Sequence, residues 1–193
     1  MPVKNAKEKI VQSAIRLMLD KGYAGTTVDE ICENAGVSKG SFYHFFKSKE
    51  DIGVAALDGF IKRGEELMRL GHFMEVEDPI QRAFAYLDHA ETVSKDLWGD
   101  GCLLGNFALD LARTHPAIRA RVTALFDGTI DKLAQIFQPI ADFREDGPTG
   151  IQLAEQYIAM LEGSIVLAKA HDDWKRIPRG IQAFRGYLRL LAV

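Results

Sequence analysis

Residues 27–49, TVDEICENAGVSKGSFYHFFKSK, leave little room for anything but two short helices joined by a turn. Thr27-Val28-Asp29-Glu30 has the form of a capping box: the Thr27 hydroxyl takes the amide of Glu30, and the Glu30 carboxylate reaches back to the amide of Thr27. Val28, Ile31, Cys32 and Ala35 then recur at i, i+3, i+4 and i+7, one apolar face of a two-turn helix. Gly36 follows as the left-handed stop, and Ser38 caps a second helix. On that helix Phe42, Phe45 and Phe46 fall on one side, while Gly40, Tyr43, His44 and Lys47 recur at i, i+3, i+4 and i+7 on the other. Ser48-Lys49-Glu50-Asp51 caps the next helix, with Asp51 as the returning carboxylate. A capped helix, a glycine turn and a second helix with one greasy and one donor-rich face make a helix-turn-helix.

The donor-rich face has what duplex DNA asks for. Ser38, Lys39 and Ser41 supply donors at a positive helix N-terminus, where phosphate is favoured. Tyr43, His44 and Lys47 add a phenol, an imidazole and a cation. An ordinary helical hairpin with a solvated polar face is the plain alternative, but no carboxylate occurs between Ser38 and Lys49, which is unusual for mere solvation. The net charge of −3 argues against nucleic acid only until the chain is divided. Residues 1–50 hold eight Lys/Arg against six Asp/Glu, a net +2, and the remainder holds sixteen against twenty-one, a net −5.

Working outward, residues 4–21 form a first amphipathic helix with Ile10, Ala14, Leu17 and Met18 inward and Gly22 at its end. Lys4, Lys7 and Lys9 at its start face either a DNA backbone or solvent. The expected domains are a three-helix head over 1–48 and a larger body over 49–193. From Ser48 a helix runs to about Leu70 and links the two. Pro79 starts a helix to about 96, Cys102 to Arg113 is helical, and Pro116 starts a helix to about Phe137. Pro139 to Gly150 reads as a loop. Nothing reads as strand. The expectation is all-α, with about nine helices.

The last two helices read differently. Over 151–170 only Gln152, Glu155, Gln156 and Glu162 break an apolar surface, so the helix is covered on both sides. The final helix, from about Arg179, repeats apolar residues at helical spacing. Tyr157, Leu161, Ser164, Ile165, Ala168, Phe184 and Leu188 are therefore the expected homodimer interface, with a deep intramolecular core as the alternative.

Residues 26–49, with Gly22-Tyr23 before them and Ser41-Phe42-Tyr43-His44-Phe45-Phe46 within them, resemble the TetR/AcrR family of one-component bacterial transcription regulators. The resemblance covers about a quarter of the chain at motif level. It implies a cytoplasmic homodimer on a near-palindromic double-stranded operator, repressing until a small-molecule effector enters the C-terminal body. Carried over by position, Thr27, Ser38, Lys39, Gly40, Ser41, Tyr43, His44 and Lys49 are the expected DNA contacts, and Lys47 joins them by its place on the helix face. The charged N-terminus lacks a signal peptide's apolar segment, and no stretch approaches the roughly 18 apolar residues of a membrane span, which agrees with a cytoplasmic protein that needs no membrane.

The effector is less legible. Asp100-Gly101-Cys102-Leu103-Leu104-Gly105-Asn106 is similar to a stretch in TetR-like regulators that sense electrophiles or oxidants through a cysteine. A helix N-terminus lowers a thiol's pKa, Asp100 opposes that, and a lone cysteine also serves as a small core hydrophobe. Tyr86, His89, Trp98, Phe107, Asp110, Tyr157 and Trp174 are the other candidates for a ligand pocket, because aromatics with a few polar groups suit one. They equally suit a helical core. No cofactor is expected, and His72, His115 and His171 show no metal-ligand spacing. An enzyme is the rival class, but the chain has no glycine-rich phosphate loop and no Gly-x-Ser-x-Gly turn.

Overall fold

The computed structural model describes residues 3–192, with side chains from Ala6 onward; Lys4 thus lies outside the described side chains. Among the described residues there are nine α-helices and no strand. They are α1 (Val3–Lys21), α2 (Val28–Ala35), α3 (Lys39–Phe45), α4 (Lys49–Arg69), α5 (Pro79–Trp98), α6 (Leu103–Leu111), α7 (Pro116–Ala141), α8 (Gly150–His171) and α9 (Arg176–Leu191), with a 3-10 turn at Phe73–Glu75. The all-α expectation holds, and two boundaries move for local reasons. Pro139 does not end α7, which continues to Ala141 with Ile140 and Ala141 buried. That burial offsets the one backbone bond a late proline removes. Pro178 falls in the first turn of α9, where its missing N–H costs nothing.

The chain packs as two units. The first takes 1–63 and 102–125, and the second takes 64–101 and 126–193. The head therefore includes most of α4, all of α6 and the start of α7. Its core is Ile10, Ala14, Met18, Ile31, Phe42 and Ile52 together with Phe107 and Ile118, all at most 2% exposed. Tyr23 closes it. The Tyr23 ring meets Phe107 of α6 edge-on at 5.6 Å and His115 at 5.1 Å. Gly53 of α4 permits this approach, since a Cβ there would meet Tyr23 at 3.2 Å and Ile118 at 3.5 Å. Ion pairing adds Arg121 Nε to Asp58 at 2.5 Å, between α7 and α4.

The second unit is built on α8, α9 and α5 around an aromatic cluster. Tyr86, Phe137, Tyr157 and Phe184 meet one another with ring centroids 5.3–6.1 Å apart, and Phe73 adds to Tyr86 at 5.2 Å. Thr149 and Gln152 cap α8 as a second capping box, Thr149 N–H donating to Gln152 Oε1 at 2.9 Å. Gly180 lets α9 close on α8, because a Cβ there would collide with Ser164.

This packing overturns the expected dimer face. Tyr157, Leu161, Ser164, Ile165, Ala168, Phe184 and Leu188 are all buried inside the second unit of a single chain. The first five share the i, i+3, i+4 face of α8 and the last two lie on α9, so the alternative of an intramolecular core is the one realised. Among its apolar and small residues, α8 leaves Ile151, Ala159, Gly163, Val166, Leu167 and Ala170 exposed.

Candidate nucleic-acid interface

The two helices of the motif are capped as their residues require. Thr27 Oγ1 accepts from Glu30 N–H at 3.2 Å, while Thr27 N–H donates to Glu30 Oε2 at 2.8 Å. Gly36 adopts φ 65, and its N–H and that of Val37 return to the end of α2. Ser38 Oγ accepts from Ser41 N–H at 3.2 Å, which starts α3. Ser13 Oγ ties α1 to α2 by donating to the Ile31 carbonyl at 3.0 Å.

Glu30 is the electrostatic centre of this cap. Its hydrogen bond from Lys21, followed by those from Thr27, lowers its pKa from the ordinary 4.5 to about 2. A depressed carboxylate stabilises the fold above its unfolded pKa and loses that contribution as pH falls through the folded value. Glu30→Gln should therefore melt below wild type at pH 7, with the gap closing between pH 4.5 and about 2. Circular-dichroism melts across that range check the outcome. A gap that persists at pH 2 would mean the carboxylate's charge is not what matters.

The expected DNA contacts divide into three groups. Ser38, Lys39, Gly40, Tyr43 and His44 are exposed along α3, with Ser41 half-buried beside them. Tyr43 is 56% exposed, and its ring meets that of the buried Phe42 edge-on at 5.2 Å. Thr27 is exposed but spends its hydroxyl on Glu30. Lys47 and Lys49 are placed differently from expectation. The helix stops at Phe45, and Phe46 is extended at φ −135 and ψ 127 so that its ring is buried. Lys47 is therefore in the turn before α4 and off the helical face that was to carry it, although exposed. Asp51 accepts from Lys47 N–H at 2.9 Å, one residue further back than the Ser48 amide expected. Lys49 lies 4.4 Å over the Tyr23 ring with its Nζ 3.5 Å from the Ala24 carbonyl, and burial lowers its pKa.

One feature escaped the sequence. Phe45, assigned inward with Phe42 and Phe46, is only half-buried and lines an outward concavity of about 330 Å³ with Ala6, Val37, Ser38, Ser41 and His44. The early end of α3 is the cause, since it turns Phe46 rather than Phe45 into the core. Lys7 of α1 sits 5.9 Å over that Phe46 ring.

The expected effector residues do not form one group. Phe107, Cys102 and Asp110 belong to the first unit, where Phe107 and Cys102 are buried and Asp110 is exposed. Cys102 takes the N-cap position of α6 without capping it through its side chain. Tyr86, His89, Trp98, Tyr157 and Trp174 belong to the second. His89 Nε2 is 2.9 Å from the Leu67 carbonyl and Trp174 lies under Lys95, so both have structural partners. Tyr86 and Tyr157 are core residues whose phenols burial pushes well up. The Tyr157 hydroxyl is buried, and the Tyr86 ring meets that of Tyr157 at 6.0 Å. No group of three or more His, Cys, Asp or Glu residues is placed to hold a metal ion among the described residues, and no helix there is long and apolar enough to cross a membrane.

Comparison with known proteins agrees with this geometry. Residues 10–56 match the family model for bacterial regulatory proteins of the tetR family. Residues 79–179 match the model for the C-terminal domain of LmrA/YxaF-like transcriptional regulators. An HTH-type transcriptional regulator from the lacX 3′ region of Lactococcus lactis is 27% identical over 89% of this chain and 87% of its own length. The HTH-type transcriptional repressor DhaR of Mycobacterium sp. strain GP1 is 27% identical over 84% of this chain and 82% of its own. A solved TetR transcriptional regulator from Chloroflexus aurantiacus superposes with a TM-score of 0.82 at 26% identity, covering 97% of this chain and 96% of the other. With the second model spanning just over half of its residues, the chain belongs to the TetR family of transcription regulators, and its C-terminal domain is of the LmrA/YxaF-like kind.

Proposed function

We propose that the protein is a homodimeric repressor that holds a near-palindromic operator through α3 and releases it when a small molecule binds the helical body. The observation that carries the DNA contact is Gly40. It is exposed in the middle of the donor set, and a Cβ there would meet only Ser38 Oγ at 3.7 Å. Nothing inside the protein requires glycine at that place, whereas a phosphate backbone lying against α3 does. Ser38, Lys39, Ser41, Tyr43 and His44 surround it with donors. The relative from Mycobacterium is named a repressor, which supports the sign of regulation.

The same logic relocates the dimer face. Gly163 of α8 and Gly186 of α9 are exposed, and a Cβ on either meets nothing within 4 Å. With the exposed Ala159, Val166 and Leu190 they are the small and apolar positions of α8 and α9 that would let a second copy lie closely. Two copies related by a two-fold axis present two α3 helices, which enter successive major grooves when roughly 34 Å apart. An effector that prefers any other spacing releases the DNA. Cys102, buried among core residues, favours a reversible ligand over thiol chemistry.

Selection from a library of random duplexes tests the operator, and an enriched palindrome is the expected result. Gly40→Ala separates binding from folding. Alanine in a helix should raise stability by about 0.5–1 kcal/mol while weakening operator binding. Unchanged affinity in a well-folded Gly40→Ala protein would remove α3 from the interface.

A further inference from the structure

The first turn of α2 carries two carboxylates, and each holds a lysine of the head. Glu30 takes Lys21 while completing the cap with Thr27. Asp29 has no part in the capping box, and its Oδ1 lies 2.7 Å from Nζ of Lys39, across the turn on α3. Both side chains are open to solvent, at 65% for Asp29 and 62% for Lys39. Asp29 is thus an exposed anion at the edge of a reading helix that has no carboxylate of its own. It occupies one of the donors that α3 offers.

We infer that Asp29 is a built-in counter-ion that competes with DNA phosphate for Lys39 and so limits the affinity of the reading head. This presupposes that α3 reads DNA as proposed above. For Lys39 to reach a phosphate oxygen it must exchange one anion for another, and Asp29 is then left beside the DNA backbone with its own charge uncompensated. Lys39 stays cationic throughout, because the hydrogen bond it donates to Asp29 raises its pKa further. Asp29 therefore governs the partner of the lysine and not its charge. Substitution by asparagine removes both the competitor and the repulsion. The ordinary alternatives point the other way. An acid in a first turn that only complements the helix dipole, or one that only aims Lys39 at phosphate, gives equal or weaker binding when neutralised.

The test compares wild type, Asp29→Asn, Lys39→Met and the double variant on the selected operator and on a random-sequence duplex, between 50 and 200 mM salt. Asp29→Asn should bind both duplexes about three- to tenfold tighter at the lowest salt, with a log–log salt slope steeper by about 0.9, one further phosphate contact. Lys39→Met should cut that gain to the part owed to Asp29's own repulsion of the DNA, and the Lys39 amine measured by NMR should titrate lower in Asp29→Asn than in wild type. Asp29→Ser, which also suits a first turn, repeats the measurement if the asparagine variant melts early. Binding that is unchanged or weaker, or a gain that is undiminished in the Lys39→Met background, overturns the inference alone. A wild type that binds no duplex overturns the DNA reading and this inference with it.

Discussion

Val166→Asp is expected to leave each protomer folded and to split the dimer. Val166 is 59% exposed on α8, so losing its apolar surface costs the protomer little. Across a two-fold face lined by Gly163 and Gly186, the same change sets two carboxylates close together. Sedimentation should show monomers with a native helical spectrum. Operator affinity should fall by about 10²–10⁴, the gain that linking two half-site contacts provides. Leu161→Asp supplies the contrast. Leu161 is buried in the protomer's own core, and the charge there should unfold the second unit rather than separate two folded copies. A Val166→Asp protein that remains dimeric would move the interface off α8.

Phe107→Ala should damage the DNA-binding head although it lies some 60 residues beyond α3. The ring is 2% exposed and packs edge-on against Tyr23. Its loss should cost about 3–5 kcal/mol as a cavity in a closed core. Tyr23 also carries Lys49 over its ring, so the start of α4 should loosen with it. Urea unfolding followed at the tyrosines checks the size, and operator binding should fall in parallel. A variant that unfolds early only in the second unit, with the head and its DNA binding intact, would contradict the assignment of α6 to the first.

These two variants mark what a linear reading can and cannot reach. The caps at Thr27, Ser38 and Gly36 were legible because each is settled within three or four residues by one side chain or one left-handed glycine. The end of α3 was not. Periodicity carried Phe46 and Lys47 onward as helix, whereas burial of the Phe46 ring and the Ser48–Asp51 cap draw the chain out after Phe45. On α8 both faces are apolar, so composition found a helix covered twice without telling which side its own chain covers. The inward set proved to be the one facing α9, and the small residues opposite became visible only once burial was known. The place of α6 was beyond any local signal, since the contact of Phe107 with Tyr23 spans more than 80 residues of sequence.

That last contact bears on how such regulators are rewired. The simplest exchange of reading heads between relatives is a single splice after the third helix. Here such a graft would separate Tyr23 from Phe107 and His115, and Gly53 from the side chains that its missing Cβ admits. A transplant that respects the packing takes two pieces, 1–63 and 102–125, and leaves the intervening stretch with the recipient. New operator specificity in this scaffold is therefore more cheaply sought by changing the exposed residues of α3 in place than by moving the head whole.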